Sequence, residues 1–343
     1  MRKVRWGVLG VAKIATSKVI AAMQRGEWCE IAGIASRDRD RAEEAARTFQ
    51  IPKAYGSYEE MLADPEIEAV YNPLPNHLHV PWSIRAAEAG KHVLCEKPVA
   101  MSAAEARELM AARDRNGVAI GEAFMVRTHP QWLRIMELVR AGRIGRLMSA
   151  VGTFSYANLD AANVRNVPEY GGGGLMDIGC YPIKTSRMVF GEEPRRVSAA
   201  IVRDPEFDID VLTSAILEFP SGQCVFTCST EIPNNQTMRF YGTAGRIEPE
   251  IPYNVRPDRP ARILIDDHRD LNGGGLTVEE IAPCNQYTIQ GDLFSRAIRE
   301  GGQPPVPLED SLKNMAVIDA VFRAAESGRW EEVERVSEAR AGL

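Results

Sequence analysis

The sequence predicts an α/β protein of two domains, a doubly wound parallel sheet followed by an α+β domain with a mostly antiparallel sheet. A chain of 343 residues exceeds the size at which a single hydrophobic core usually stops growing. Strand and helix patterns alternate up to residue 122, and the alternation stops soon after it. We therefore predict one domain over residues 1–122 and a second over residues 123–343.

The composition is typical of a soluble globular protein and argues against several classes of partner. Hydrophobic residues make up 45% and charged residues 26% of the chain, enough for a sizeable core. The net charge of −6 does not provide the cationic field that nucleic acids require. No apolar run is long enough for a secretion signal or a membrane span. We expect a cytoplasmic protein that binds neither nucleic acid nor membrane.

The cysteines and histidines do not predict a metal site. Six cysteines are scattered along the chain, which fits reduced thiols in a reducing compartment. Cys224 and Cys228 form the one close pair, but the residues between them favour a strand. His77 and His79 lack the carboxylates or cysteines that would complete a site, so packing or hydrogen bonding is their expected role.

Strands and helices alternate regularly in the first domain. Ser102 and Glu105 form a capping box at the start of one of these helices, because each side chain can satisfy a backbone N–H of the first turn. The alternation implies right-handed crossovers and a parallel sheet with helices on both faces. The predicted strands are 4–9, 31–35, 69–71, 92–95 and 118–121, and the predicted helices are 13–24, 38–49, 57–62, 78–89 and one that begins at 102.

The second domain has a different rhythm. A helix over 129–140 precedes a strand over 147–156, and further strands are joined by turns such as Pro220-Ser221-Gly222. Strands joined in this way are typical of an antiparallel sheet. The further predicted strands are 196–202, 211–219 and 223–229, and helices over 287–299 and 308–325 end the fold.

The first strand leads into a turn that resembles a dinucleotide-binding fingerprint. Gly10-Val11-Ala12-Lys13-Ile14-Ala15 follows a strand and precedes a helix, as the fingerprint requires. Alanine replaces two of its glycines, yet a methyl group still allows close approach to a pyrophosphate and tight helix packing. A plain turn, with Gly10 serving geometry alone, is the alternative. We predict a Rossmann-type domain whose cofactor contacts include Gly10, Ala12, Lys13, Ile14 and Ala15.

The end of the second strand favours NADP over NAD. An NAD-specific protein would place a carboxylate here for the ribose hydroxyl, but the chain has Ser36 and Arg37 instead. A hydroxyl and a guanidinium complement a 2′-phosphate, and Arg39 or Arg41 could add charge. The alternative is that these arginines form a solvated helix face with nearby carboxylates.

Three further groups of residues bear on chemistry. Asn72-Pro73-Leu74-Pro75-Asn76-His77 and Cys95-Glu96-Lys97-Pro98 each follow a strand, at the sheet edge where ligands of open α/β proteins bind. Near the glycine run at 171–174, Asp177 and Tyr181 are four residues apart and are expected to share one helix face.

With these groups in place, the chain resembles the glucose-fructose oxidoreductase and inositol dehydrogenase family (Gfo/Idh/MocA). The likeness covers nearly the whole chain and rests on Glu96-Lys97-Pro98, Gly10-x-Ala12 and Asp177-x-x-x-Tyr181. Tyrosine at position 181 resembles the branch with NADP-linked xylose dehydrogenases and dihydrodiol dehydrogenases, because inositol dehydrogenases typically have histidine there. The resemblance implies a large open-faced sheet in the second domain, and a homodimer or homotetramer formed through it.

The resemblance also implies roles for individual residues. Lys97 would lie beside the nicotinamide and the reacting oxygen, Tyr181 would exchange the proton, and Asp177 would orient substrate or partner side chains. Further cofactor contacts would come from Asn72, Pro73, Leu74, Asn76, His77 and Glu96, with Arg127 and Tyr287 as weaker transfers.

The sequence thus predicts an NADP-dependent oxidoreductase that moves a hydride between the nicotinamide and a hydroxyl or carbonyl carbon of a sugar or sugar-like substrate. Tyrosine is a weak base, with a reference pKa of ~10, but a neighbouring ammonium such as that of Lys97 favours the phenolate. Whether Lys97 or Tyr181 is the formal proton acceptor stays open. The alternatives are a dihydrodiol dehydrogenase, a keto-sugar reductase and, from another class, a non-catalytic NADP-binding regulator.

Overall fold

The computed structural model describes residues 2–336, which form two compact units. The first unit comprises the chain up to Met125 together with Asn285–Leu312, and the second comprises Val126–Cys284 together with the chain from Lys313. Our sequence analysis placed residues 285–312 in the second domain. The difference arises because these residues return to the first unit after the second has been built.

The first unit contains a six-stranded, all-parallel sheet. Its strand order is β3-β2-β1-β4-β5-β6, the order of a doubly wound dinucleotide-binding fold, which confirms the predicted class. Strand β3 is short and only partly buried, and its sequence gave no signal. The strands are β1 (Val4–Leu9), β2 (Cys29–Ala35), β3 (Lys53–Tyr55), β4 (Ala69–Asn72), β5 (His92–Glu96) and β6 (Ile120–Ala123).

Helices alternate with these strands, and polar side chains cap several of them. Ser102 accepts the N–H of Glu105 at 3.2 Å, while the Glu105 carboxylate accepts the N–H of Met101 at 3.0 Å, so the predicted capping box is present with its return bond one residue earlier. The helices are α1 (a π-helical turn Ala15–Val19 continuing as Ile20–Gln24), α2 (Arg39–Phe49), α3 (Tyr58–Ala63), α4 (His79–Glu88) and α5 (Ala103–Asn116).

The second unit contains a nine-stranded sheet of order β14-β13-β12-β11-β7-β10-β9-β8-β15. All neighbouring strands are antiparallel except β7 and β10, which are parallel. The mostly antiparallel sheet that we predicted is therefore confirmed. The strands are β7 (Leu147–Ala157), β8 (Arg196–Arg203), β9 (Asp210–Glu218), β10 (Gln223–Ser229), β11 (Glu231–Gly242), β12 (Gly245–Pro249), β13 (Ala261–Asp266), β14 (Leu276–Ile281) and β15 (Glu331–Glu332).

Four longer helices complete the described chain. They are α6 (Pro130–Arg140), α7 (Cys180–Phe190, preceded by a π-helical turn Leu175–Gly179), α8 (Gln286–Glu300) and α9 (Leu308–Ser327). Short 3₁₀ segments lie at Asn76–Leu78, Met125–Thr128, Val164–Asn166 and Pro168–Tyr170.

Helix α8 is part of the core of the first unit. The ring of Trp6 lies 5.6 Å from that of Phe294, and its Nε1 donates to Ser295 Oγ at 2.9 Å. Asp292 accepts the backbone N–H groups of Glu27 and Trp28. The core of the first unit is thus completed by a helix that lies far along the chain.

The buried cysteines and the helix lengths complete the description. Cys224 and Cys228 lie on β10, and both are buried free thiols. Of the helices within residues 2–336, none is long and apolar enough to cross a membrane.

Candidate active site

Gly10 closes the first strand with a backbone conformation that favours glycine. Its φ of +85° lies in the left-handed region, and its N–H continues the sheet by donating to Ala35 O at 2.8 Å. A Cβ at this position would lie 3.0 Å from Leu74 Cδ2. A glycine here therefore keeps open the approach to the start of α1.

The rest of the turn combines small, buried and exposed side chains. Ala12 and Ile14 are partly buried, Lys13 is exposed and Ala15 is fully buried. The buried Ala15 allows the close packing of helix on strand that the fingerprint requires. The contacts of these residues with a cofactor stay a prediction.

Ser36 and Asp38 shape the turn after β2. Ser36 is buried, and its hydroxyl accepts the N–H of Asp38 at 3.1 Å. Asp38 in turn caps α2 by accepting the N–H of Arg41 at 3.3 Å. The Ser36 side chain thus stabilises the turn, and it also lies at the position where we predict contact with a 2′-phosphate.

The arginines that follow β2 differ in their partners. Arg39 pairs with Glu60 of α3 at 2.9 Å, a carboxylate from another helix. Arg37 and Arg41 form no ion pair with a carboxylate in the described part of the chain. Burial raises the pKa of the Tyr58 hydroxyl, and the positive charges of Arg37 and Arg41 oppose that shift. Two cations thus act on the same phenol, and their contact with a 2′-phosphate stays a prediction.

The loop after β4 is held by Asn72. This side chain is fully buried; its Nδ2 donates to His79 O at 3.0 Å and to Ser83 Oγ at 3.1 Å, and its Oδ1 accepts the N–H of Leu74. Its amide therefore fixes the loop rather than reaching out of it. The loop carries the other predicted contacts, Pro73, Leu74, Asn76 and His77.

His79 joins this loop to the one after β5. Its Nδ1 lies 2.7 Å from Pro98 O and its Nε2 lies 2.7 Å from Leu74 O. Burial lowers the pKa of the ring to about 4, against the pull of the two carbonyl groups. The expected hydrogen-bonding role is thus confirmed for His79.

Glu96 is the last residue of β5 and Lys97 follows it, and both interact with tyrosine side chains. Glu96 accepts the Tyr71 hydroxyl at 2.6 Å and the N–H of Lys97 at 3.2 Å. Burial raises the pKa of Glu96, and the Lys97 ammonium opposes that rise. Burial also raises the pKa of Tyr287 to about 12, with Glu96 adding to the rise and Lys97 reducing it. Tyr287, at the start of α8, is therefore brought into the electrostatic range of both.

Asp177 and Tyr181 lie at the start of α7 in the second unit. Asp177 belongs to the π-helical turn, and Tyr181 to the first turn of α7. Buried Asp210 anchors this segment, because its Oδ2 accepts the N–H of Leu175 at 2.6 Å and the Thr213 hydroxyl at 3.0 Å. Burial raises the pKa of Asp210 to about 6.

Asp177 is the centre of a polar cluster. Its Oδ2 accepts the Tyr156 hydroxyl at 2.5 Å and the Nε of Arg165 at 2.9 Å. Asp177 raises the pKa of Arg165, and Tyr156 and Tyr181 add to that effect although burial opposes it. The cluster thus places a carboxylate, a guanidinium and two phenols in one neighbourhood.

Aromatic packing fixes the ring of Tyr181. Its centroid lies 5.4 Å from that of Phe154 in an edge-on contact and 5.0 Å from that of Tyr253. Only 6% of the residue is exposed. A ring held on two sides has few rotamers, so its hydroxyl is aimed in one direction.

Sequence reasoning missed Tyr71, Tyr156 and Arg165, because each meets its site partner through tertiary structure alone. It also transferred Arg127 to the cofactor. In the structure, Arg127 lies in the second unit, where burial lowers its pKa and nearby Arg140 lowers it further.

Comparison with known families matches both halves of the chain. The model of an oxidoreductase family with an NAD-binding Rossmann fold, GFO_IDH_MocA, matches residues 4–124. The model of the GFO/IDH/MocA C-terminal domain matches residues 132–248.

Similar proteins extend over nearly the full length. An uncharacterized oxidoreductase, ORF334, of Rhizobium meliloti is 49% identical over 97% of this chain and 100% of its own. A D-xylose 1-dehydrogenase (NADP(+)) of Haloferax volcanii is 38% identical over 96% of this chain and 99% of its own. The crystal structure of an aldose-aldose oxidoreductase from Caulobacter crescentus, complexed with glycerol, superposes with a TM-score of 0.88 at 28% identity, covering 96% of this chain and 100% of that one.

Proposed function

The chain belongs to the Gfo/Idh/MocA oxidoreductase family, and from this premise we propose that it is an NADP-dependent enzyme acting on sugars. In this proposal a hydride moves between the nicotinamide and a hydroxyl or carbonyl carbon of a sugar or sugar-like substrate. The observation that carries it is the complete set Lys97, Asp177 and Tyr181 in a chain 38% identical to an NADP-linked xylose dehydrogenase. A regulator that only binds the cofactor would not require this set.

The residues of the first unit fit the cofactor. The turn at Gly10 leaves backbone room for a pyrophosphate, and Arg37 and Arg41 have charge to offer a 2′-phosphate. The loops after β4 and β5, joined through His79, would hold the rest of the cofactor. When bound, the nicotinamide supplies the acceptor or donor of the hydride.

The protein must then handle the proton. When an alcohol is oxidised, its hydroxyl loses a proton, and we assign that proton to the phenolate oxygen of Tyr181, which becomes a neutral phenol. The Arg165 guanidinium attracts the phenolate form of Tyr181. The ammonium of Lys97 would stabilise negative charge on the substrate oxygen. In this proposal Asp177 orients Arg165 and Tyr156, to which it is hydrogen-bonded.

An absorbance screen tests the proposed function. The purified protein is mixed with NADP or NAD and with pentoses, hexoses, polyols and, in the reductive direction, keto sugars. We expect the reduced-nicotinamide band to change with NADP and at least one sugar, and to change less with NAD. Cofactor binding without any absorbance change across the panel would favour a regulator.

We also propose that the protein forms a homodimer or homotetramer through the open face of the nine-stranded sheet. Val151 and Val225 are paired across β7 and β10 and are 42% and 39% exposed. Ile216 of β9 continues the same row. A broad sheet face with exposed aliphatic side chains is suited to association.

The six free cysteines support the cytoplasm as the compartment.

A further inference from the structure

Arg165 keeps the outer end of its guanidinium open beside Tyr181. Its Nε donates to Asp177 Oδ2 at 2.9 Å, and its charge attracts the phenolate form of Tyr181. No oxygen within residues 2–336 accepts a hydrogen bond from its Nη1 or Nη2. The side chain is 45% exposed. The planar N–H fork is therefore available to a molecule that reaches Tyr181.

The backbone of Arg165 is held by the glycine run at 171–174, a motif that the proposed function does not explain. Gly173 N–H donates to Arg165 O at 2.9 Å. A Cβ at Gly172 would lie only 2.4 Å from the same oxygen, so only glycine allows this approach. Asn163 Oδ1 accepts the N–H of Arg165 at 3.1 Å. The guanidinium thus projects from a fixed point, although it belongs to a loop.

The charge balance indicates what the fork can bind. Asp177 already neutralises Arg165. An anionic group on the fork would lie close to the Asp177 carboxylate and be repelled by it. Hydroxyl oxygens accept hydrogen bonds from a guanidinium without adding charge. The ion pair therefore favours an uncharged molecule rich in hydroxyl groups.

We propose that Arg165 is a substrate-binding residue that selects uncharged sugars, with Nη1 and Nη2 donating to hydroxyl oxygens next to the carbon that reacts. The inference rests on the proposed function and names the substrate class of the same site. Apart from the attraction of its charge for the Tyr181 phenolate, Arg165 acts on the binding and orientation of the substrate.

The test combines protein and substrate changes in one cycle. Wild type, Arg165→Lys and Arg165→Ala are assayed with the best sugar from the screen, with its monodeoxy analogues and with the matching sugar acid. Arg165→Lys keeps the charge beside Asp177 but lacks the fork. Arg256→Ala is the matched control, because Arg256 is an exposed arginine of the same unit that is paired with Asp258.

With wild type, we expect at least one deoxy analogue to lose about ten- to hundredfold in kcat/KM, because it lacks the hydroxyl that accepts a hydrogen bond from the charged fork. With either Arg165 variant the same analogue should lose little, because the fork that donates this bond is already gone. The control should behave as wild type. An equal loss on the sugar and all its analogues would indicate a structural role and overturn the inference. Preference of wild type for the sugar acid, lost in Arg165→Ala, would overturn the uncharged class.

The two proposals fail in different ways. A wild type that acts on no sugar overturns the proposed function and this inference with it. A wild type that is active while the cycle shows no coupling overturns the inference alone.

Discussion

At the scale of single residues, both units use charged groups whose partners leave some donors open. Arg37 and Arg41 lie beside Tyr58 in the first unit, and Arg165 lies beside Tyr181 in the second. By contrast, Arg39 forms an ion pair with Glu60. Whether the N–H groups of an arginine are left without a carboxylate depends on where carboxylates lie in the fold. Arginines with such N–H groups are candidates for binding, and the others serve the structure.

Replacing Lys97 tests the proposed chemistry. Lys97→Met keeps the aliphatic stem but removes the ammonium, so we expect kcat to fall by about 10²–10⁴-fold. The Kd for NADP should change little, because most of the predicted cofactor contacts are made by other residues. Steady-state kinetics and calorimetric titration measure the two quantities. Lys3→Met, at a lysine that donates to Gly26 O, is the control. Near-normal turnover of the Lys97 variant would contradict the assignment.

Cofactor choice is tested at Arg37. Arg37→Asp replaces a guanidinium with a carboxylate, which should repel a 2′-phosphate and accept a ribose hydroxyl. We expect kcat/KM for NADP to fall by about ten- to hundredfold and the preference to move towards NAD. Arg39→Ala, at the arginine paired with Glu60, should leave the preference close to wild type. An unchanged preference in the Arg37 variant would refute the assignment.

At the scale of elements, one π-helical turn begins α1 and a second directly precedes α7. The four-residue spacing of Asp177 and Tyr181 predicted a shared face on the assumption of ordinary α-helical geometry. A π-helical turn bonds residue i to i+5, so that argument does not fix which side chains meet. Two hydrogen-bond partners of Asp177, Tyr156 and Arg165, come from other elements.

The glycine run before α7 is tested at Gly173. Its φ is +109°, and a Cβ there would lie 2.0 Å from Asp210 Oδ1. We expect Gly173→Ala to lower the free energy of unfolding by about 1–3 kcal/mol. Urea denaturation measures it. Gly191→Ala separates the two causes, because Gly191 also has a positive φ of +67° but open space around it. Its cost should be about 1 kcal/mol, and equal losses would mean that the clash with Asp210 is relieved.

Local sequence patterns predicted most of the elements but few of the side-chain partners. Apolar strands alternating with capped helices specify a doubly wound sheet, since each signal lies within a few residues. Strand β3 has three residues and no fully buried position, so no pattern could develop. Lys97 and Tyr181 were found through short motifs. Arg165 lies in a loop whose course depends on glycines and on Asp210, and no local pattern encodes that.

At the scale of the whole molecule, association through the sheet is tested with Val225. Val225→Lys would place an unpaired ammonium in the proposed interface, at a cost of about 3–5 kcal/mol. Light scattering after size exclusion should show wild type as a dimer or tetramer and the variant as a smaller species. Leu271→Lys, at a fully exposed position on the β13–β14 connection, should keep the wild-type mass. A wild-type monomer would contradict the proposal.

The return of residues 285–312 to the first unit bears on synthesis in the cell. Trp6 cannot meet Phe294 and Ser295 until the ribosome has passed through the whole nine-stranded sheet apart from its last short strand. At about 5–20 residues per second, the roughly 160 residues between the two segments of the first unit (126–284) take on the order of 10–30 s to make. During that interval helix α8 does not yet cover Trp6, and exposed apolar surface of this kind on a nascent sheet is what chaperones bind.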